Sequence, residues 1–302
     1  MEKAIDLIIE SKTRELTDDF KIRRVLPHAK RRMVGAFIFL DQMGPEIISA
    51  GKSLDVAPHP HIGLATVTYL FQGELMHRDS IGSKQLIRPG DVNWMTAGKG
   101  IAHSERTPEN FIDQSKNLYG IQAWVALPKS VEETEPSFFH HGQQELPVFE
   151  GEGKKVRLIA GSLFGEKSPV NTASEIIYAD VAMKKNSRFA IPKEHEERAI
   201  YIIEGSLETG LEGEKFDAGR LLVLKPSEEI IIKCISPTAR FLLLGGEPLE
   251  KRHIWWNFVS SSHERIEQAK EDWKNQNFDR VVDESEYIPL PGTSEKMVIG
   301  YP

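Results

Sequence analysis

Two short stretches of this sequence carry side chains of metal-ligand type at a shared spacing. In DVAPHPHIG, His59 and His61 stand two residues apart, and in GKGIAHSERT, His103 and Glu105 do the same. Along an extended chain successive side chains alternate between faces, so residues two apart point the same way. Each pair would therefore converge on a common point. Three neutral imidazole nitrogens and one carboxylate suit a divalent transition metal, and Fe, Mn, Ni, Cu and Zn all accept that set. One H-x-H alone is a weak signal. The combination is stronger because the contexts match: the first pair precedes a strand closed by Gly73, and the second follows the turn Gly98-Lys99-Gly100. Four protein ligands on an octahedral ion leave two positions open, which makes a catalytic role physically available.

The elements that must position these residues read as strands. Short runs rich in Val, Ile, Phe, Tyr and Thr, divided by Gly, Pro or Asn, predict strands over 36–40, 65–71, 120–127, 156–159, 176–181, 199–203, 221–224 and 239–244. Strands this short and numerous suggest barrels or sandwiches. The halves also repeat: TVTYLFQGEL from Thr66 leads to IRPGDVNWM at Ile87, and RAIYIIEGSL from Arg198 leads to FDAGRLLVL at Phe216. Each copy carries two turn glycines, Gly73 and Gly90 in the first, Gly205 and Gly219 in the second. Aligned on those glycines, the ligand positions of the second copy fall near Ile191, Lys193, Ile232 and Cys234, none of which preserves the pattern. The second copy is therefore expected to be structural.

The stretch 128–155, rich in Pro, Glu, Gln and Gly, is the expected crossing between domains, which places the first at 1–135 and the second at 136–302. Near the end, SSHERIEQAKEDWKNQ predicts a helix. Ser261 and Glu264 form its capping box, and Ile266, Ala269 and Trp273 form one apolar stripe for docking.

Composition narrows the function. The 302 residues hold 38 basic and 45 acidic side chains, for a formal charge of -7. That balance disfavours direct nucleic-acid binding. With 40% apolar and 27% charged residues the chain is an ordinary globular one. Cys234 is the single cysteine, which fits a reducing compartment, and the start MEKAIDLIIESK lacks the order of an export signal. No run approaches the ~20 apolar residues of a membrane helix. The expectation is a cytoplasmic protein.

The other polar clusters read blandly. His77 is expected to be a solvent-facing strand histidine rather than a group behind the ligands. Adjacent residues on an extended chain face opposite ways, so His140 and His141 are poor co-ligands. Lys30-Arg31-Arg32 is a solvated basic loop.

The wording PHPHIGLATVTYLFQGELMHRDSIG followed by RPGDVNWMTAGKGIAHSE resembles the two cupin motifs as they stand in the pirin family. The similarity runs from FIFLDQMGP through EPSFFHHGQQELP and VRLIAG to the C-terminal helix. It implies an all-β bicupin, two cupin-type jelly-roll barrels stacked face to face with a C-terminal helix, and one metal in the first barrel on His59, His61, His103 and Glu105. Family members often have a glutamate where this chain has Ala65, a position outside the ligand set. The resemblance further implies Fe(II) and quercetin 2,3-dioxygenase activity, with O2 opening the central ring of a flavonol and carbon monoxide released. Glu105 would then take the flavonol 3-hydroxyl proton. An apolar pocket for a flat substrate would draw on Phe37, Phe39, Met95 and Trp124, with Asp41 and Gln122 as polar contacts. The alternative carried by the same resemblance is a metal-dependent, redox-sensing regulator that binds a transcription factor or metabolic enzyme without turnover.

Overall fold

The computed structural model describes residues 4–17, 20–209, 213–226, 229–292 and 298–299. The architecture is all-β, with one α-helix among the described residues, His263–Lys274. Each predicted strand is present, usually inside a longer one: 65–71 lies within Leu64–Gln72, 120–127 overlaps Lys116–Ala126, and 199–203 lies within Glu197–Glu204. Alternation locates the half-buried parts of a strand but is blind to its ends, where pairing continues past the apolar residues.

The chain divides into two compact units, and neither is contiguous. One comprises Met1–Arg14, Arg23–Gln42 and His141–Leu249; the other comprises Glu15–Ile22, Met43–His140 and Glu250–Pro302. This differs from a single division at 135/136 for a physical reason. Strand Ile5–Glu10 finds its partner in Arg220–Leu224, more than two hundred residues away, and no local pattern in a sequence records such a pairing.

In the first unit the order of the larger sheet is Ile5–Glu10, Arg220–Leu224, Glu197–Glu204, Thr238–Gly246, Ile176–Lys184, Lys154–Leu163, Val148–Gly151. A four-stranded sheet follows the order Arg188–Ile191, Ile230–Cys234, Ser206–Thr209, Glu214–Asp217. Leu158, Ile177, Ile200, Leu222, Phe241 and Leu243, from the larger sheet, cluster with Phe189, Leu207 and Phe216 from the smaller. Burial of side chains of this size stabilises by roughly 1.5–3 kcal/mol each. Ile191, Ile232 and Cys234, the positions that answer to metal ligands in the first copy, belong to this apolar core, while Lys193 is exposed. The second copy thus has packing where the first has chemistry.

The second unit repeats the plan. A four-stranded sheet runs Val56–His61, Ile101–Arg106, Leu75–Asp79, Lys84–Ile87. The other sheet runs Ser137–His141, Val92–Thr96, Leu64–Gln72, Lys116–Ala126 and continues into parts of Phe37–Ile48, Phe20–Leu26 and Lys12–Thr17. Ser137–His141 lies in the stretch expected to be a crossing, so the segment 128–155 is in part a sheet edge. The two copies match in detail. Gly90 donates its amide to Leu70 O, and Gly219 donates to Ile202 O, both at 2.8 Å. Gly73 and Gly205 both have positive φ, 84° and 75°, and a Cβ there would sit 2.3 Å from Asn117 O and 2.2 Å from Thr238 O. Only glycine fits either corner.

The helix forms one residue later than its expected cap. Ser262, not Ser261, is the N-cap: its Oγ accepts from the Arg265 amide at 3.3 Å and donates to Glu264 at 2.7 Å. Ser261 instead donates to Glu132. The apolar stripe holds as expected, with Ile266, Ala269 and Trp273 buried against Ile62, Ala102 and Phe258. The helix thereby covers the outer face of the sheet that carries the histidine pairs. No helix of the described residues is long and apolar enough to cross a membrane.

Candidate metal centre

His59 and His61 point to one face of strand Val56–His61, as their spacing requires, and His59 lies directly opposite His103 on Ile101–Arg106. The ring centroids are 4.4 Å apart for His59 and His103, and 5.0 Å apart for the other two pairs. One nitrogen of each ring lies within 4.8 Å of the others, and among the described residues this is the group able to hold a metal ion. All three rings are buried. Burial pushes the His59 imidazole down to about 4; burial, then the neighbouring imidazoles, holds His61 and His103 well below the ordinary value. All three are therefore neutral at pH 7.

Their tautomers follow from their partners. Nδ1–H of His59 donates to Ala57 O at 2.9 Å, and Nδ1–H of His61 donates to Asn257 O at 3.2 Å. Each therefore presents a bare Nε2 lone pair. His103 Nδ1 lies 3.4 Å from His77 Nδ1, and His77 Nε2 lies 3.0 Å from Asp79 Oδ2. A carboxylate oxygen accepts, so His77 gives its Nε2 proton to Asp79; with His77 Nδ1 as the acceptor, His103 carries its proton on Nδ1 and its Nε2 is bare as well. His61 Nε2 and His103 Nε2 then face each other at 3.1 Å with no proton between them. Three convergent lone pairs in a buried pocket fit a cation and little else.

Glu105 shares the face but stands outside the three-nitrogen group. Two residues beyond His103 it pairs with Val56 rather than Ala57, because the register shifts between His103 and Glu105. Pro58 lies inside that shift, and proline, having no N–H, is accommodated at such bulges. The Glu105 carboxylate Oε1 accepts from Thr68 Oγ1 at 3.0 Å, and the Gln122 side-chain amide lies 2.9 Å from the same hydroxyl. A hydroxyl has one proton. Thr68 Oγ1 therefore lies between two acceptor oxygens, Glu105 Oε1 and Gln122 Oε1, and can give its proton to one of them at a time. Burial raises the Glu105 carboxyl above its ordinary range, against the opposing hydrogen bond from Thr68.

The facing sheet supplies the surrounding surface. Thr66, Met95 and Trp124 are cross-strand neighbours in one row, and Thr68, Asn93 and Gln122 form the next. The Trp124 ring meets His61 edge-on at 5.1 Å. Phe37, Phe39 and Asp41 belong to the other compact unit. There Phe37 packs on Tyr178 at 5.1 Å, the Arg24 guanidinium lies 4.5 Å over the Phe39 ring, and Asp41 accepts two bonds from Arg24 at 2.9 and 2.7 Å. Met95, Gln122 and Trp124, three of the six expected pocket residues, lie in the same unit as the histidine cluster, and the other three lie in the other unit.

His77 corrects another expectation: it is 4% exposed, not solvent-facing, and stacks on Phe138 at 4.3 Å. The missed signal is simple. His77 and Asp79 stand two apart, like the ligand pairs, and their strand lies beside the one that carries His103 and Glu105. His140, too, faces inward sheet residues, with Nδ1 2.7 Å from Asn93 Oδ1.

Comparison with known proteins agrees with this geometry. The Pirin family model matches residues 19–125 and the model of the pirin C-terminal cupin domain matches 178–279. A pirin-like protein of Caulobacter vibrioides is 48% identical over 95% of this chain and 99% of its own. Pirin-1 of Arabidopsis thaliana is 33% identical over 84% of this chain and 87% of its own. A crystal structure of quercetin 2,3-dioxygenase from Acinetobacter baumannii is 34% identical with a TM-score of 0.87, covering 98% of both chains. Two cupin domains, a buried three-histidine cluster in the first and an apolar core in the second identify the chain as a member of the pirin family.

Proposed function

We propose that the chain binds one divalent transition metal, iron(II) by preference, on His59, His61, His103 and Glu105, and uses O2 to cleave a flavonol such as quercetin. The observation that carries the reading is the convergence of three bare Nε2 lone pairs beside a buried carboxylate. Similarity to the quercetin 2,3-dioxygenase structure supports the substrate class. When bound, the ion supplies open coordination positions and a one-electron couple with which an electron-rich substrate and O2 can be brought together.

The protein's own contribution is positioning and proton transfer. Trp124 and Met95 form apolar walls against which a flat ring system packs, while Thr66 and Gln122 supply polar contacts. Glu105 would accept the 3-hydroxyl proton of the substrate on a carboxylate oxygen within reach of the ion, as a weaker base wherever it also coordinates the metal. Only Oε1 of that carboxylate is engaged by Thr68, so its two oxygens would let one group serve as ligand and as proton acceptor. A single cysteine suits work in the reducing cytoplasm.

The test is anaerobic loading with iron(II), followed by oxygen-electrode and carbon monoxide measurements with quercetin. Consumption of one O2 and release of one carbon monoxide per flavonol is the expected result. Tight iron binding with no oxygen uptake would overturn the enzyme in favour of a regulator.

A further inference from the structure

The three histidines are not held alike. His59 and His61 rest their Nδ1–H groups on backbone carbonyls, whereas His103 rests its own on a second imidazole, which in turn rests on a carboxylate. The carboxylate is itself fixed: Asp79 Oδ1 accepts the amides of Ile81 at 3.1 Å and Ser83 at 2.8 Å, and Asp79 is fully buried. His77 is fixed by its stack on Phe138. The bonds are continuous and converge on Asp79, which accepts from the turn amides on one side and from His77, itself the acceptor for His103, on the other.

We propose that His77 and Asp79 are positioning residues that set the tautomer of His103 and so determine how tightly the site binds a metal. This rests on the three-histidine metal site of the preceding section. A carbonyl accepts from Nδ1–H but never donates, so His59 and His61 need no further control. An imidazole can do either, and His77 therefore leaves His103 undetermined until something settles its own proton. Asp79 settles it by accepting only. The partners behind a metal ligand raise its basicity as well as fix its orientation, and their loss typically weakens metal binding by about 10- to 100-fold.

The decisive variant is Asp79→Asn. The new side-chain amide still accepts the Ile81 and Ser83 amides, but it offers an N–H to His77 Nε2. His77 then carries its proton on Nδ1 and donates to His103 Nδ1, which forces the His103 proton onto Nε2, where the metal should bind. The direction of the whole relay reverses with almost no change of shape. His77→Phe keeps the ring against Phe138 and removes the acceptor. His77→Gln keeps both functions, an oxygen for His103 and an N–H for Asp79.

The measurement uses cobalt(II) alone as probe on the metal-free full chain, with affinity from chelator competition and geometry from the visible absorption of the bound ion. Asp79→Asn and His77→Phe should bind cobalt about 10- to 100-fold more weakly, and His77→Gln should restore the unsubstituted affinity. Wild-type affinity and spectrum in both disruptive variants, with binding lost in His103→Ala, would overturn the relay and leave the metal site standing. Wild-type cobalt binding in His103→Ala would overturn the metal site itself. Long-range proton–nitrogen NMR of the unsubstituted metal-free chain decides the matter even if a variant fails to fold. A His103 proton on Nδ1 supports the relay, and one on Nε2 refutes it.

Discussion

His61 and His103 bring their Nε2 atoms to 3.1 Å of one another with the lone pairs facing. Neither ring can turn away without breaking the bond its Nδ1–H makes to Asn257 O or to His77. The fold therefore holds two repelling nitrogens in place, and a cation between them would turn repulsion into attraction.

Metal should accordingly stabilise the folded chain. Binding to the native state alone at 100-fold over Kd adds about 2.7 kcal/mol, which corresponds to about 5–10 °C in Tm for domains of this size. Differential scanning calorimetry before and after treatment with a strong chelator measures this. The difference should vanish in His103→Ala. An unchanged Tm on chelation of the unsubstituted chain would count against the site.

Acid should destabilise the metal-free protein over a defined window. His59 falls to about 4 in the folded state, and His61 and His103 are lowered in the same direction by burial. In the unfolded chain all three take up protons near 6.5. Between these values the unfolded state binds more protons than the folded one, so stability is full above pH 6.5 and declines as pH falls towards 4. The slope is about 1.4 kcal/mol per pH unit for each histidine. Guanidinium titrations at pH 7, 6 and 5 should show it, and bound metal, by keeping protons off the folded-state nitrogens, should carry the decline to lower pH. A metal-free chain equally stable at pH 7 and pH 5 would contradict the buried, neutral state of the cluster.

How far the site could be read from sequence depends on the range of the interaction. The spacing of His59 to His61 and of His103 to Glu105 is local, and strand alternation converts it into a shared face. The stripe of Ile266, Ala269 and Trp273 is local too. By contrast, the displacement of Glu105 comes from a register shift opposite Pro58, and the burial of His77 comes from Phe138, 61 residues away. Arg24, which engages both Phe39 and Asp41, gave no signal of its own. Periodicity reports which face a residue is on. It does not report what arrives to cover that face, so the three-histidine cluster was legible and the partners behind it were not.

Thr68→Val tests the hold on Glu105. The substitution preserves shape while it deletes the hydroxyl that donates to Glu105 Oε1. Hydrogen bonds to charged groups contribute about 1.5–3 kcal/mol, so a loss in that range is expected from urea denaturation of the metal-free chain at pH 7. Glu105→Gln in the same background should recover part of it, because a neutral amide suffers less from the missing donor. If the double variant is no more stable than Thr68→Val alone, the hydroxyl is not acting through the carboxylate.

The last prediction concerns the outer face of the ligand-bearing strand. His103 and Glu105 point inward, and Ser104 and Arg106, which alternate with them, reach the C-terminal segment. Glu284 accepts from Ser104 Oγ at 2.7 Å and from Arg106 Nε and Nη2 at 3.2 and 2.6 Å, with Arg78 3.6 Å away. Glu286 takes a further Arg106 contact. Glu284 and Arg106 are largely buried, at 7% and 14% side-chain exposure, so removal of one partner strands the other. Glu284→Ala should cost about 3–5 kcal/mol, measured by urea denaturation. Glu284→Leu combined with Arg106→Met exchanges the pair for apolar groups, and should recover part of that loss, because Arg106 no longer stands unpaired while Arg78 and Glu286 each still lose a partner. The same strand that aims the ligands would then be shown to depend on its outward pairs for its position. Equal destabilisation in the single and double variants would mean that packing of the segment, rather than charge pairing, holds it there.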